Sequence, residues 1–241
     1  MRFKIIKFFQ AKEYRDLANP KSAKFFIPDW YKKAEVTYKD PVGITQQGLK
    51  TCIPYLDGLT SGYMLSTPID IYVNQKENSL GHIFNNGEDN LEIRWDGPGF
   101  LQDFINERPK ESGHTMPRPA GHYPNHLVWK GYWSIKTPRG YSILFTHPLN
   151  RHDLPFTTLS GIVDSDKFFA PGNIPFFMKK GFSGVIPKGT PIAQLIPIKR
   201  DNWKTYQNDP YLTDQHFIQT SYLENKDTNY KKKFWQRKRY E

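Results

Sequence analysis

The chain has 241 residues, a single cysteine and a formal net charge of +10. A mean hydropathy of −0.69 and the lack of any long apolar run exclude a membrane-spanning helix. One cysteine, Cys52, excludes an internal disulfide framework and fits a reducing compartment. The charge is uneven, because residues 1–24 and 226–241 each carry seven Lys/Arg against two acids, leaving the body near neutral. Basic ends suit phosphate contacts with nucleic acid or an acidic partner, and equally suit solvated tails. Aromatic residues at 15% and 19 prolines favour short strands and ordered loops over a helical bundle. Three parts are expected: an N-terminal strand and covering segment over 1–39, a β-domain over 40–205, and a basic aromatic arm over 206–241.

The opening MRFKIIKFF is too short and too charged for a signal peptide, so a cytoplasmic protein is expected. Phe3, Ile5 and Phe8 alternate with Arg2, Lys4 and Lys7, which predicts an edge strand guarded by cations. Pro28-Asp29-Trp30-Tyr31 opens a short helix, with Trp30 and Tyr31 covering the core. Lys50–Leu56 and Gly62–Val73 read as strands joined through Asp57-Gly58, with Cys52 an inert core thiol. Leu91–Trp95 is a further strand, ended by the turn Asp96-Gly97-Pro98-Gly99, and Phe100–Asn106 is a short helix or covering loop. Residues 107–126 lack periodicity and read as an ordered loop. Leu127–Lys136 and Tyr141–Thr146 form a hairpin turned by Thr137-Pro138-Arg139-Gly140.

The next stretch, Gly161 to Trp203, is the most strongly β-patterned part of the chain. Ile162-Val163 leads into the acidic turn Asp164-Ser165-Asp166, and short apolar runs follow at Ile174–Met178 and Val185-Ile186. After the turn Pro187-Lys188-Gly189, Ile192, Gln194, Ile196 and Ile198 fall on one face of a strand. No glycine follows Gly189. Thr213–Arg239 is helix-compatible, with Phe217, Ile218, Tyr222 and Leu223 as a partial stripe. The arm then interleaves Lys231, Lys232, Lys233, Arg237, Lys238 and Arg239 with Phe234, Trp235 and Tyr240, a pattern suited to base stacking with phosphate contact, or to a neighbouring subunit.

Five of seven histidines, His114, His122, His126, His147 and His152, crowd into one region. Pro124 interrupts the His122/His126 spacing, no His-x-Asp or His-x-Glu occurs, and no second cysteine exists. A surface loop rich in histidine is therefore expected, with no metal. Phosphate-cradling glycine loops and a Gly-x-Ser-x-Gly elbow are both missing from the sequence. The acidic turn is the remaining candidate. Asp164 can act as a general base at a strand end if a cation and a bound phosphate complete the site, or it can cap backbone amides of the turn.

Gly161-Ile-Val-Asp164-Ser-Asp166, followed by Gly189-Thr-Pro-Ile-Ala-Gln194-Leu-Ile196, resembles two motifs of the trimeric dUTPases, whose fold the dCTP deaminases share. Ser61-Gly62-Tyr63-Met64-Leu65 is similar to that family's opening motif. The resemblance implies an all-β fold of mainly antiparallel short strands, a barrel or sandwich with short helices at the termini, assembled as a homotrimer. It places Asp164 on the water-activating position, and Asn150, Arg151, Asp166, Gln194 and Arg200 around a ligand. Met64 stands where the family has Asp, no Arg-Ser-Gly grips phosphate, and the glycine-rich closing tail is missing. The chain as a whole also resembles a group of phage and bacterial proteins sharing the Thr137–Ser142, Pro148–Asn150, Gly161–Asp166 and Gly189–Arg200 patterns. That likeness implies a viral setting, in host cytoplasm or virion, and supplies no activity. The expectation is a non-catalytic protein that binds a small ligand or partner. The alternatives are a divergent nucleotide pyrophosphohydrolase acting on a Mg²⁺-bound substrate, and an assembly or nucleic-acid contact protein working through its basic ends.

Overall fold

The structure, a computed structural model, describes residues 4–74, 82–86, 89–108, 116–206, 212, 215–216, 218–220 and 230–241. The first elements are β1 (Lys7–Phe9), β2 (Lys21–Ser22), helix α1 (Asp29–Lys33), β3 (Thr37–Lys39), β4 (Thr45–Gln47) and helix α2 (Ile53–Thr60). Next come β5 (Tyr63–Ser66), β6 (Ile71–Val73), β7 (His82–Asn86), β8 (Asp89–Arg94), β9 (Ile105–Glu107) and β10 (Leu127–Trp129). The rest are β11 (Ser134–Lys136), β12 (Tyr141–Thr146), β13 (Phe156–Thr158), β14 (Gly161–Val163), β15 (Ile174–Met178), β16 (Gly184–Ile186) and β17 (Pro191–Lys199). The fold is all-β with a few short helices, and the strand pairs described are antiparallel.

β17 is buried on both faces over Pro191–Leu195, with Gln194 the polar residue in an otherwise apolar run, and it takes the position where both faces are covered. It lies at the centre of a five-stranded sheet of order β14-β12-β17-β5-β2. Two four-stranded sheets, β13-β15-β10-β9 and β16-β6-β8-β7, and the two-stranded pairs β1-β11 and β3-β4 account for the other described strands. Trp129 and Phe176 stack at 3.7 Å between ring centroids, and Phe156 meets Trp129 edge-on at 5.2 Å. These three rings are fully buried and anchor the core.

The structure corrects several sequence expectations. Lys50–Leu56 is not a strand: Leu49–Thr51 is a 3₁₀ turn and α2 follows, with Asp57-Gly58 inside the helix. Pro54 sits in the first turn, where the missing N–H costs nothing. Gly58 is tolerated because a Cβ there would lie 3.1 Å from Asn150 Nδ2, so a close-packed loop takes precedence over helix propensity. Cys52 consequently precedes a helix and is exposed. Gly62–Val73 breaks at Pro68 into β5 and β6, which lie in different sheets. The 127–146 hairpin does not form. The turn survives, with Tyr141 N donating to Pro138 O at 3.1 Å, yet β11 pairs with β1 while β12 pairs with β14 and β17. The longer, more apolar partner β17 claims β12 over six residue pairs.

The N-terminal strand is shorter than expected. Phe8 pairs with Ile135, Ile5 is exposed outside the strand, and Phe3 lies outside the described residues. Gly99–Leu101 forms a 3₁₀ turn and Ile105–Glu107 a strand, so the 107–126 loop begins inside β9; of it, 109–115 lie outside the described residues. α1 forms where Pro28 opens it, with Tyr31 buried and Trp30 packed edge-on against it at 5.9 Å. Of the expected C-terminal stripe, Ile218 is helical, while Phe217, Tyr222 and Leu223 lie outside the described residues.

Candidate functional site

Three strand ends meet at one edge of the five-stranded sheet. Val163 closes β14 opposite Ile143, and Lys199 closes β17 opposite Tyr141. The Pro138–Gly140 turn feeds β12 between them. This register places Asp164, Asp166 and Arg200 together with Ser142 and Gly140. Arg200 grips Asp166 with both terminal nitrogens, at 2.8 Å and 2.5 Å. Gly140 N donates to Asp166 Oδ2 at 2.8 Å, and the Asp166 side chain is only 5% exposed. Asp164 is different, being 51% exposed. It accepts from Ser142 Oγ at 2.7 Å and lies 3.2 Å from Arg200, whose Nη1 also donates to Ser142 Oγ at 3.0 Å.

The electrostatics follow from these contacts. The Arg200 guanidinium, and then the Gly140 amide, hold Asp166 far below the usual carboxylate range. The Ser142 hydroxyl, with Arg200 behind it, holds Asp164 low as well. A general base works best with a pKa near the operating pH, and Asp164 is moved away from it. Lys167 N and Phe168 N both donate to Asp164 O at 2.9 Å, so the residue also starts a helical turn through its backbone.

Gln194, Asn150 and Arg151 form a second group at the other end of the same strand pair. Gln194 stands opposite Thr146, six residues from Arg200, which at about 3.3 Å per residue is about 20 Å away. Its side chain is fully buried. Oε1 accepts from Leu149 N at 2.8 Å, while Nε2 donates to Gly58 O at 2.9 Å and Ser61 O at 2.6 Å. Asn150 has φ 61°, a left-handed conformation that Asn tolerates, and its amide faces Tyr55 O at 3.5 Å. Arg151, only 9% exposed, makes a forked pair with Asp153 at 2.9 Å and reaches Phe26 O at 3.3 Å. These three residues tie α2 and the 148–153 loop to the sheet.

The histidines do not form one surface cluster: His152 is exposed, but His126 and His147 are half-buried. His122 is buried between Ala120 O and Thr157 Oγ1, each at 2.9 Å. His147 Nδ1 accepts from Thr158 N at 3.2 Å, which leaves Nε2 to donate to Arg151 O at 3.0 Å. This assigns the tautomer, and burial above all keeps the ring's pKa below its usual value. His114 lies outside the described residues. Among the described residues no three His, Cys, Asp or Glu side chains group as metal ligands.

A feature the sequence did not signal lies directly behind the acidic turn. A cavity of about 350 Å³ opens between the five-stranded sheet and the 165–175 loop. Its lining runs from the buried Leu65, Ile135 and Ile174 through the half-buried Trp133 and Phe145 to the exposed Phe168. The arm, in turn, folds back on its own chain. Tyr230–Phe234 makes one π-helical turn, Trp235 Nε1 donates to Asp57 Oδ2 at 2.9 Å, and Lys238 reaches the same oxygen at 2.6 Å. Tyr240 meets Tyr63 edge-on at 6.0 Å. Lys231, Lys232, Arg237 and Arg239 are exposed. No protein-family model and no curated protein matches this chain.

Proposed function

We propose that this chain is a non-catalytic ligand-binding protein of dUTPase-like build, in which the acidic turn supports a pocket wall instead of activating water. The observation that carries the reading is the closure of Asp166 by Arg200 and Gly140, which removes one carboxylate and the nearest cation from any phosphate. The other expected phosphate-gripping groups, Asn150 and Arg151, lie about 20 Å along the strand pair and are tied to Tyr55, Asp153 and Phe26. A homotrimer in a viral setting belongs to this reading. The deciding experiment is an assay of purified protein with a nucleoside triphosphate panel and Mg²⁺. No pyrophosphate release is expected, and release from dUTP that disappears in Asp164→Asn would sink the proposal.

A second reading concerns the arm. The Trp235–Asp57 and Lys238–Asp57 contacts fix its path and leave Lys231, Lys232, Arg237 and Arg239 among its exposed cations, which favours docking on a polyanion. Binding to a labelled single strand should then weaken steeply with salt. It should be lost in a Lys231→Ser/Lys232→Ser/Arg237→Ser/Arg239→Ser variant, and an unchanged salt slope in that variant removes the reading.

A further inference from the structure

We propose that the cavity behind the acidic turn is a preformed binding site for a compact, uncharged, ring-bearing organic molecule, a reading that rests on the ligand-binding proposal above and names its ligand class. At about 350 Å³ the cavity is too large to be a packing defect, since one water occupies about 30 Å³ in the liquid. Its size falls in the range of small-molecule sites. No described residue lining it carries a charge. An anionic ligand such as a nucleotide would lose its hydration there and find no cation in return. The aromatic side chains Trp133, Phe145, Phe168 and Phe169 instead offer ring faces and edges, and the exposed Asn173 supplies an amide.

The wall of the cavity is held so that it does not collapse inward. Arg200 secures the 164–166 end through Asp166 and Asp164. In the middle, Phe169 lies 5.8 Å from the Phe9 ring and 4.5 Å beneath the Lys136 ammonium. At the far end Gly172 presses against Gly131, where a Cβ would collide with the Gly172 carbonyl. Between these ties Phe168 lines the cavity yet is 62% exposed, an aromatic surface that a bound ring would cover. The ionic lock at the sheet edge thus acts as the post of the pocket wall.

The test uses N-phenyl-1-naphthylamine, an uncharged dye that brightens in apolar sites, and its sulfonated analogue 8-anilino-1-naphthalenesulfonate. The full chain should bind the neutral dye saturably, one per chain, with a Kd on the order of 10 µM for a molecule of that size. The sulfonated dye should bind at least about ten-fold more weakly. Ala170→Trp, which fills the mouth from an exposed loop, and Phe168→Ala, which removes an exposed ring, should each weaken the neutral dye about ten-fold or more, with circular dichroism confirming the fold. Absence of saturable binding by folded wild type overturns the site, and equal binding in both variants overturns its location. Equal affinity for the two dyes overturns the ligand class. These outcomes are separate from the hydrolysis assay: dUTP turnover would sink the non-catalytic reading without changing dye binding, and failed dye binding leaves the hydrolysis result standing.

Discussion

The two ends of the β12–β17 pair solve one problem by different chemistry. At the Thr146/Gln194 end a neutral amide, fully buried, holds Leu149 N, Gly58 O and Ser61 O. At the Ser142/Ile198 end an ionic lock, Arg200 with Asp166 and Asp164, holds the turns that follow β14 and precede β12. Burial explains the choice. A charge in the Gln194 position would lose its hydration with three backbone groups as its only compensation, and two of these are acceptors. Arg200 is 31% exposed, so water shares its solvation and the charged clamp is tolerated at the sheet edge. Charge near a strand end is therefore a poor sign of catalysis in this chain, and its exposure decides what it can do.

The largest expected effect comes from breaking the neutral end. Gln194→Leu orphans one donor and two acceptors inside the fold, which should cost about 3 kcal/mol or more in urea unfolding. A loss well under that figure would mean the amide is replaceable by water. Next in size is Asp166→Asn. It weakens the pairing with Arg200 and should lower the urea midpoint by less than Gln194→Leu does, because Arg200 can turn toward Asp164 and solvent. An effect equal to that of Gln194→Leu would erase the distinction between the two clamps.

Acidification separates the ends more finely. His147 beside the neutral clamp has its folded pKa pushed below 6.5, chiefly by burial, so the unfolded chain binds the proton first. Its contribution to stability is complete above 6.5 and declines as pH falls toward the folded value. His126, also lowered by burial, acts in the same direction. Asp164 and Asp166 are depressed from 3.8 by Ser142 and Arg200, so their contribution is present above that value and is lost as pH falls through the lower folded pKa values. Urea midpoints should therefore decline in two stages, and His147→Asn, which keeps an acceptor for Thr158 N, should flatten only the first. A single acid transition near pH 4 with no change around pH 6 would contradict this order. The smallest effect is expected at Asp164→Asn. Its exposed side chain keeps an acceptor for Ser142, so the melting temperature should hardly move, and a large drop would give Asp164 a structural weight it does not have here.

Much of the fold was legible in the sequence. Alternation at Ile192–Ile198, the acidic turn after Ile162-Val163, and the proline and glycine turns determined an all-β chain with β14, β15, β16 and β17 close to where they lie. These signals are local, because side-chain periodicity and turn chemistry act within a few residues. Partner choice is not local. Tyr141–Thr146 reads as half of a hairpin, yet its partner is β17, about fifty residues later, because the buried faces match there. The Lys50–Leu56 stretch is apolar enough for a strand, and no local pattern shows the 148–153 loop packing close to Gly58 in the helix that forms there. Sequence likewise brought Asp164, Asp166, Arg200, Asn150, Arg151 and Gln194 forward as a single undivided ligand site. Tertiary structure kept the first three together and placed the others at the far end of the strand pair, because register and strand rise, which no motif spacing records, set the distance between them. The cavity behind the turn was decided by tertiary structure alone. Its lining comes from five separate stretches between Leu65 and Pro175, and no local pattern announces a space that distant segments enclose.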